Sequence, residues 1–338
     1  MADTLRLSLE EAQLLAARAL RAAGADEAMA RATAAALVGA EAEGQGGHGL
    51  SRVAMYAEFL REGRAKGDAQ PRILHERPGT ALIDAGNGLA FAALALAEAE
   101  AEHRARACGI ACVAVTNSHH AGAMSLPVRR LAAKGLVGLA FTNSPYAMPV
   151  PGGRSPLLGT NPVAAAFPRR DAAAPIVIDL ALSAVARGKI MVAAKQGQPI
   201  PEGWALDAEG QPTTDPKAAL DGAMLALGGP KGAALALMVE LLCVALGGAA
   251  FAFEADSFFA PSPNPPRLGQ LLIAIDPGGL AGQAVFLDRI EAMVTAMLDD
   301  PDVRLPGARR EALRTQAAED GLSLPQAMVE QLRALAGD

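Results

Sequence analysis

The sequence predicts an α/β protein with helical segments from both ends of the chain packed beside a central sheet. Capped helical segments fill the first 63 residues, and short apolar runs alternate with helical patterns from residue 80. The texture then returns to helix from about 281. These observations divide the chain into a helical N-terminal part (1–75), an α/β core (76–280) and a helical C-terminal part (281–338), with no clear linker and no tandem repeat between them.

Taken in order, Ser8-Leu9-Glu10-Glu11 is a capping box, so a first helix runs from there to about Ala23, where Gly24 stops it. Asp26 caps a second helix through about Glu43. A glycine-rich turn covers 44–49, and a third helical stretch ends at Gly63. Candidate strands are Ala81 to Asp84, Ile110 to Thr116, Val137 to Thr142, Val163 to Phe167, Ile176 to Asp179 and Leu271 to Ile275. Helical patterns lie between them near 89–106, 125–134, 184–196 and 231–246.

The chain has 338 residues, 51% of them apolar and 20% charged, which suits a globular protein and excludes a disordered one. A formal charge of −6 without a basic run argues against a nucleic-acid partner. The start Met-Ala-Asp-Thr is not a signal peptide, and Cys108, Cys112 and Cys243 form neither a CxxC pair nor a disulfide framework. A reducing cytoplasm is therefore expected. The run from Gly232 to Phe253 is apolar, but Glu240 sits inside it and Gly247-Gly248 breaks it. It reads as a helix buried in the core rather than a membrane span.

Candidate chemistry gathers at strand ends and turns. His48 lies beside a turn in Gly47-His48-Gly49-Leu50-Ser51-Arg52, and His119-His120 follow a strand. A histidine there can exchange a proton with an alcohol or carbonyl oxygen, or simply cap its turn. Arg52, one helical turn before Tyr56, is a natural carboxylate clamp because its fork makes two parallel charge-assisted bonds; it is also compatible with a plain surface helix. Thr142-Asn143-Ser144-Pro145, Gly159-Thr160-Asn161-Pro162 and Asp179 to Ser183 end apolar runs with small polar residues suited to ribose, amide or pyrophosphate, or to ordinary turns. Gly228-Gly229-Pro230-Lys231-Gly232 opens a helix and could cradle an anion or merely start the helix. Adjacent histidines diverge and lack a carboxylate at i+3 or i+4, so no metal site is expected. The G-x-G-x-x-G fingerprint of the ordinary dinucleotide fold is absent.

Read together, these segments resemble the malate/L-lactate dehydrogenase family that is distinct from the Rossmann-type enzymes. That family includes sulfolactate, ureidoglycolate and diketogulonate dehydrogenases and the piperideine-2-carboxylate (ketimine) reductases. The matching stretches are GHGLSRVAMY at 47–56, NSHHAG at 117–122, GTNP at 159–162, IDLALS at 178–183, PKGAALALMVE at 230–240 and GQLLIAIDP at 269–277. The resemblance implies a sulfolactate-dehydrogenase-like fold with the cofactor on a largely antiparallel sheet, a homodimer, and NADP or NAD as cofactor for a small carboxylic-acid substrate.

Carried over by position, it implies His120 as the proton carrier of the hydroxy-acid dehydrogenases and His48 as that of the ketimine reductases. Arg52 and Tyr56 match substrate-side positions. Ser144, Thr160, Asn161, Asp179, Leu180, Ala181, Pro230 and Lys231 match cofactor-side positions, and Arg309 in Pro306-Gly307-Ala308-Arg309-Arg310 matches a further one. Two departures stand out. Gly47 replaces a Ser that many members carry, and Lys189 aligns with an Asp that the ketimine reductases use as a relay partner. Both favour a 2-hydroxy acid dehydrogenase over a cyclic ketimine or N-alkyl imino acid reductase. The stretches Pro201 to Asp207 and Phe253 to Phe259 resemble the sulfolactate and malate branch.

Overall fold

The computed structural model describes residues 3–259 and 264–338; Met1 and Ala2 of the chain start lie outside them. Strand β1 (Thr4–Leu7) leads into helices α1 (Leu9–Ala22), α2 (Glu27–Ala42) and α3 (Val53–Arg61). The capping box is formed: the Ser8 hydroxyl accepts the Glu11 N–H while the Glu11 carboxylate takes the Ser8 N–H at 2.7 Å. Asp26 likewise accepts the Met29 N–H at 2.8 Å, so both helix starts satisfy donors that would otherwise be orphaned.

The sheet begins with β2 (Arg72–Arg77) and β3 (Thr80–Asp84), crosses through α4 (Ala90–Cys108) to β4 (Ile110–Ser118), and continues through α5 (Ser125–Ala133) to β5 (Val137–Thr142), β6 (Val163–Phe167) and β7 (Ile176–Leu180). Next come α6 (Arg187–Gln196), the two-residue strands β8 (Ala205–Leu206) and β9 (Pro212–Thr213), α7 (Pro216–Asp221), β10 (Ala223–Met224), α8 (Pro230–Glu240) and β11 (Leu268–Ile275). The chain closes with α9 (Gln283–Leu298), α10 (Ala308–Asp320), β12 (Leu322–Pro325) and α11 (Gln326–Ala336).

Seven strands pair in the order β2-β3-β4-β11-β5-β6-β7. Only β3 and β4 run parallel; every other neighbouring pair in that sheet is antiparallel. The largely antiparallel sheet expected from the resemblance is therefore present. Its central strand, β11, arrives from far along the chain and is buried on both faces, which explains its nearly continuous apolar sequence.

One face packs on α4 and α5 through small side chains, with Ala90, Ala93, Ala97, Ala101 and Ala105 letting α4 lie close to the sheet. The other face packs on the segments around α6 to α8, through Leu158, Ile190, Val239, Cys243 and Leu271. A separate core joins the chain ends. Leu20, Leu37, Tyr56, Val329 and Leu332 pack together, and β1 pairs antiparallel with β12.

Two expectations are corrected. Strands β1, β2 and β12 were not anticipated; β2 is exposed along its whole length and so has no apolar alternation. The helix over 230–245 is not buried all round. Its small residues Gly232, Ala233 and Ala236 face the core with Val239 and Glu240, while Leu235, Leu237, Met238 and Leu241 are exposed. The large side chains face outward, so apolar content alone misjudged its position. Among the described residues, no helix is long and apolar enough to cross a membrane.

Candidate active site

A cleft of about 360 Å³ opens where the C-terminal end of β4, the ends of β5 and β7, the turn before α3 and the start of α6 meet. The volume falls within the roughly 300–1,000 Å³ of small-molecule and cofactor sites. His48, Arg52 and His120 line it, with Ser144, Thr160, Asp179, Leu180 and Ala181.

The first three are positioned by short-range constraints. Two 3-10 turns, Gly46–His48 and Leu50–Arg52, flank Gly49. The Glu41 carboxylate, reaching from α2, accepts the Leu50 N–H at 2.9 Å. A Cβ at Gly49 would lie 2.1 Å from that carboxylate oxygen, so a side chain there would push the Glu41 carboxylate off the Leu50 N–H. Arg52 is oriented by donating from Nε to the Gly47 carbonyl at 2.6 Å, and its Nη1 lies 3.6 Å from the Met55 sulfur. Arg52 itself lines the cleft.

His120 is held from behind. The Tyr56 hydroxyl, buried in the terminal core, sits 2.6 Å from His120 Nδ1. The His48 ring stacks on His120 with centroids 5.6 Å apart and planes 12° from parallel, and Phe258 meets His120 edge-on at 5.4 Å. Burial, the neighbouring His48 and the Arg52 charge together hold His120 well below the ordinary histidine range. His48 is lowered by burial and by Arg52, against the opposing pull of Asp179. Burial pushes the Tyr56 hydroxyl upward, so it stays protonated.

The neighbouring His119 is turned inward. It is buried against Phe59 and Phe258, accepts the His120 backbone N–H at Nδ1, and is lowered by burial to about 3.

The opposite wall is built from hydroxyls and main chain. Ser144 Oγ accepts the Thr160 N–H at 3.0 Å and lies 3.4 Å from the Thr160 hydroxyl. A Cβ at Gly159 would collide with the Ser144 carbonyl and the Asn161 side chain at 2.4 Å, so the two loops meet backbone to backbone. Asp179 accepts the Ser125 N–H at the start of α5 and is approached by Arg310, whose Nη2 also donates to the Asp179 carbonyl at 3.2 Å.

Not every residue singled out in the sequence reaches the cleft. Tyr56 is fully buried behind His120. Asn161 is buried and donates to the Ala236 carbonyl and to Glu240 at 2.7 Å; it ties β6 to α8 and does not face the cleft. Pro230 and Lys231 open α8 outside the cleft lining. Arg309 is exposed, and its neighbour Arg310 lines the cleft instead. Lys189 is likewise exposed on α6, and Arg187 two residues before it lines the cleft.

Sequence reasoning missed Arg187, Arg310, Phe258 and Glu41. It treated Glu240 only as an interruption in an apolar run. That carboxylate accepts the Ala252 N–H and both Asn143 and Asn161 amides, joining three segments behind the Ser144–Thr160 wall.

The arrangement fits a nicotinamide cofactor by its donor set. The wall carries hydroxyls and main-chain groups at three strand ends, adjacent to two histidines and a guanidinium. Among the described residues, no cluster of three or more metal-ligating side chains occurs.

A family model described as malate/L-lactate dehydrogenase matches residues 7–333. A (2R)-3-sulfolactate dehydrogenase (NADP(+)) of Chromohalobacter salexigens is 50% identical over 331 residues, covering 98% of each chain. A Delta(1)-pyrroline-2-carboxylate/Delta(1)-piperideine-2-carboxylate reductase of Pseudomonas putida is 40% identical over 333 residues, covering 98% of this chain and 97% of the relative. Among solved structures, the delta1-piperideine-2-carboxylate reductase of Pseudomonas syringae superposes with a TM-score of 0.93 at 37% identity, covering 98% of this chain and all of that one. The sulfolactate dehydrogenase of Methanocaldococcus jannaschii superposes with a TM-score of 0.89 at 31% identity, covering 98% and 97%.

Proposed function

The chain belongs to the malate/L-lactate dehydrogenase family, and from that premise we propose that it is an NADP- or NAD-dependent oxidoreductase interconverting a small 2-hydroxy acid and its 2-oxo acid. The substrate is of the malate, lactate or sulfolactate type, in line with the sulfolactate dehydrogenase at 50% identity. One observation carries the reading: a tyrosine-buttressed histidine, His120, shares a cleft with the Arg52 guanidinium.

The nicotinamide ring, when bound, supplies the hydride chemistry at the substrate's C2. Ser144, Thr160 and the Asp179–Ala181 segment are the residues proposed to hold the cofactor. Arg52 binds the substrate carboxylate with two charge-assisted bonds and so fixes C2 and its oxygen beside His120. In the oxidative direction His120 takes the hydroxyl proton. Burial, first among the causes, holds His120 neutral, which is the form a base requires. In the reductive direction the substrate carboxylate cancels part of the Arg52 charge that lowers His120. The imidazole can then carry the proton it gives to the carbonyl oxygen. His48, stacked on His120, bounds the same space and shields it from water.

The test is a comparison of His120→Ala with His48→Ala on a 2-oxo acid. Losing a general acid–base typically lowers turnover by about 10²–10⁴. His120→Ala is expected to fall in that range and His48→Ala to fall less; the reverse order contradicts the assignment.

A second reading, reduction of a cyclic ketimine with His48 as the proton carrier, is favoured by the 40% identical reductase and by the Asp179 charge acting on His48. The working form is proposed to be a cytoplasmic homodimer. Support comes from the exposed apolar residues Leu235, Met238, Leu241 and Leu246. Light scattering at micromolar concentration should return the mass of two chains.

A further inference from the structure

Among the described residues, three guanidinium groups line the cleft, from Arg52, Arg187 and Arg310, against one carboxylate, Asp179. Arg310 is paired with that carboxylate at 3.5 Å. Among the described residues, neither Arg52 nor Arg187 forms an ion pair. The cleft therefore carries two cationic forks, and only one of them, Arg52, is needed for the carboxylate next to the reacting carbon.

Arg187 is held as a binding group is held. It opens α6, and its Nη2 donates to the Leu220 carbonyl at 3.0 Å. Its guanidinium carbon lies 5.5 Å from the centre of the Phe259 ring. These two contacts fix the plane of the fork, and among the described residues its remaining N–H groups have no hydrogen-bond acceptor. Burial lowers its affinity for the proton, and Tyr146 and Asp221 only partly offset that. A half-buried cation left unpaired is unfavourable unless an anion completes it.

Lys189, two residues on, does not share this position. A helix turns about 100° per residue, so i and i+2 point to nearly opposite faces.

We propose that Arg187 binds a second acidic group on the substrate, a carboxylate or sulfonate on the carbon next to C2. The cleft then selects dianionic 2-oxo acids over monocarboxylates and over cyclic imino acids, which have only one acidic group. This rests on the 2-hydroxy acid reading above and names its substrate class. A guanidinium fork meets planar carboxylate and tetrahedral sulfonate oxygens equally through paired N–H donors. Another source of the same chemistry is a phosphate of the cofactor, which the experiment separates.

The experiment measures binding of succinate and butyrate, unreactive acids of equal carbon count, to the NADPH-loaded protein. It is paired with kcat/KM for oxaloacetate and pyruvate, in the wild type, Arg187→Met and Arg187→Lys. A charge-assisted contact of this kind corresponds to about tenfold to a hundredfold in affinity. The wild type should prefer succinate and oxaloacetate by that factor. Arg187→Met should lose the preference, and Arg187→Lys should recover part of it.

A wild type without the preference, or a preference that survives Arg187→Met, overturns the proposal. A collapse of the NADPH-over-NADH affinity ratio in place of the acid preference overturns it too, by assigning the fork to a cofactor phosphate. If no 2-oxo acid is turned over at all, the dehydrogenase reading fails by itself, and the succinate comparison still decides the role of Arg187.

Discussion

The Tyr56 hydroxyl lies 2.6 Å from Nδ1 of His120, and Tyr56 has no surface in the cleft. For Nε2 to take the substrate proton, the neutral ring must carry its hydrogen on Nδ1, which then donates to the oxygen of Tyr56, itself kept protonated by burial; the bond holds His120 in that tautomer. Tyr56→Phe removes this bond without opening a cavity. Turnover on a 2-oxo acid is expected to fall about tenfold, with KM nearly unchanged, because the orienting bond is lost and not a substrate contact. Steady-state kinetics decide it. A raised KM with unchanged kcat would instead return Tyr56 to the substrate-side role implied by the resemblance.

Arg52 donates from Nε to the Gly47 carbonyl, which fixes its fork in one orientation. A lysine has one compact ammonium and cannot hold Gly47 while also making a two-pronged contact with a carboxylate. Arg52→Lys should therefore raise KM for the acid at least tenfold while NADPH affinity changes little. Equal KM values in the wild type and Arg52→Lys would place Arg52 outside the substrate contacts.

Glu41 supports the turn from below. Its carboxylate accepts the Leu50 N–H at the junction between the His48 and Arg52 turns, and burial raises its affinity for a proton. Glu41→Gln keeps an acceptor oxygen in the same place, whereas Glu41→Ala leaves the Leu50 N–H unpaired. Glu41→Ala is expected to lower kcat/KM by about tenfold, and Glu41→Gln to retain most of the activity. Matched losses in the two variants, with circular dichroism showing both folded, would count against a positioning role.

His119 makes a prediction about stability. Its folded pKa is about 3, and its unfolded value is near 6.5. Above pH 6.5 both states are neutral there, and the group favours neither. As pH falls below 6.5, the unfolded chain takes up a proton that the folded chain refuses. Stability is then lost at up to about 1.4 kcal/mol per pH unit until pH approaches 3. His119→Asn keeps an acceptor for the His120 N–H and removes the titration. Urea denaturation at pH 7, 6 and 5 should show the variant losing less stability than the wild type on acidification. Parallel losses would contradict the buried, neutral His119.

Much of this structure was legible because local chemistry and tertiary outcome agree. The strands from β3 to β7 and β11 are apolar runs bounded by turns, and Ser8 and Asp26 mark helix starts that the structure uses. β2 was not legible, since an edge strand exposed along its length carries no burial pattern. Sequence reasoning drew His48, Arg52, His120, Ser144, Thr160 and Asp179 from distant segments, and they line one cleft. It could not resolve which of two close residues faces inward, as with Arg309 and Arg310, or Lys189 and Arg187. That choice depends on helix phase, which is set only when the helix docks. Glu41 carried no signal at all, because its partner Leu50 is fixed by a turn that forms in the folded chain.

The central claim is hydride exchange with a 2-oxo acid. The most direct measurement is the initial rate of NADPH and NADH oxidation with pyruvate, oxaloacetate, 3-sulfopyruvate and piperideine-2-carboxylate, each at matched concentration and neutral pH. The account predicts that a 2-oxo acid gives the highest kcat/KM and that the rate survives treatment with EDTA. Fastest turnover of piperideine-2-carboxylate would contradict it and establish the ketimine reductase reading in its place.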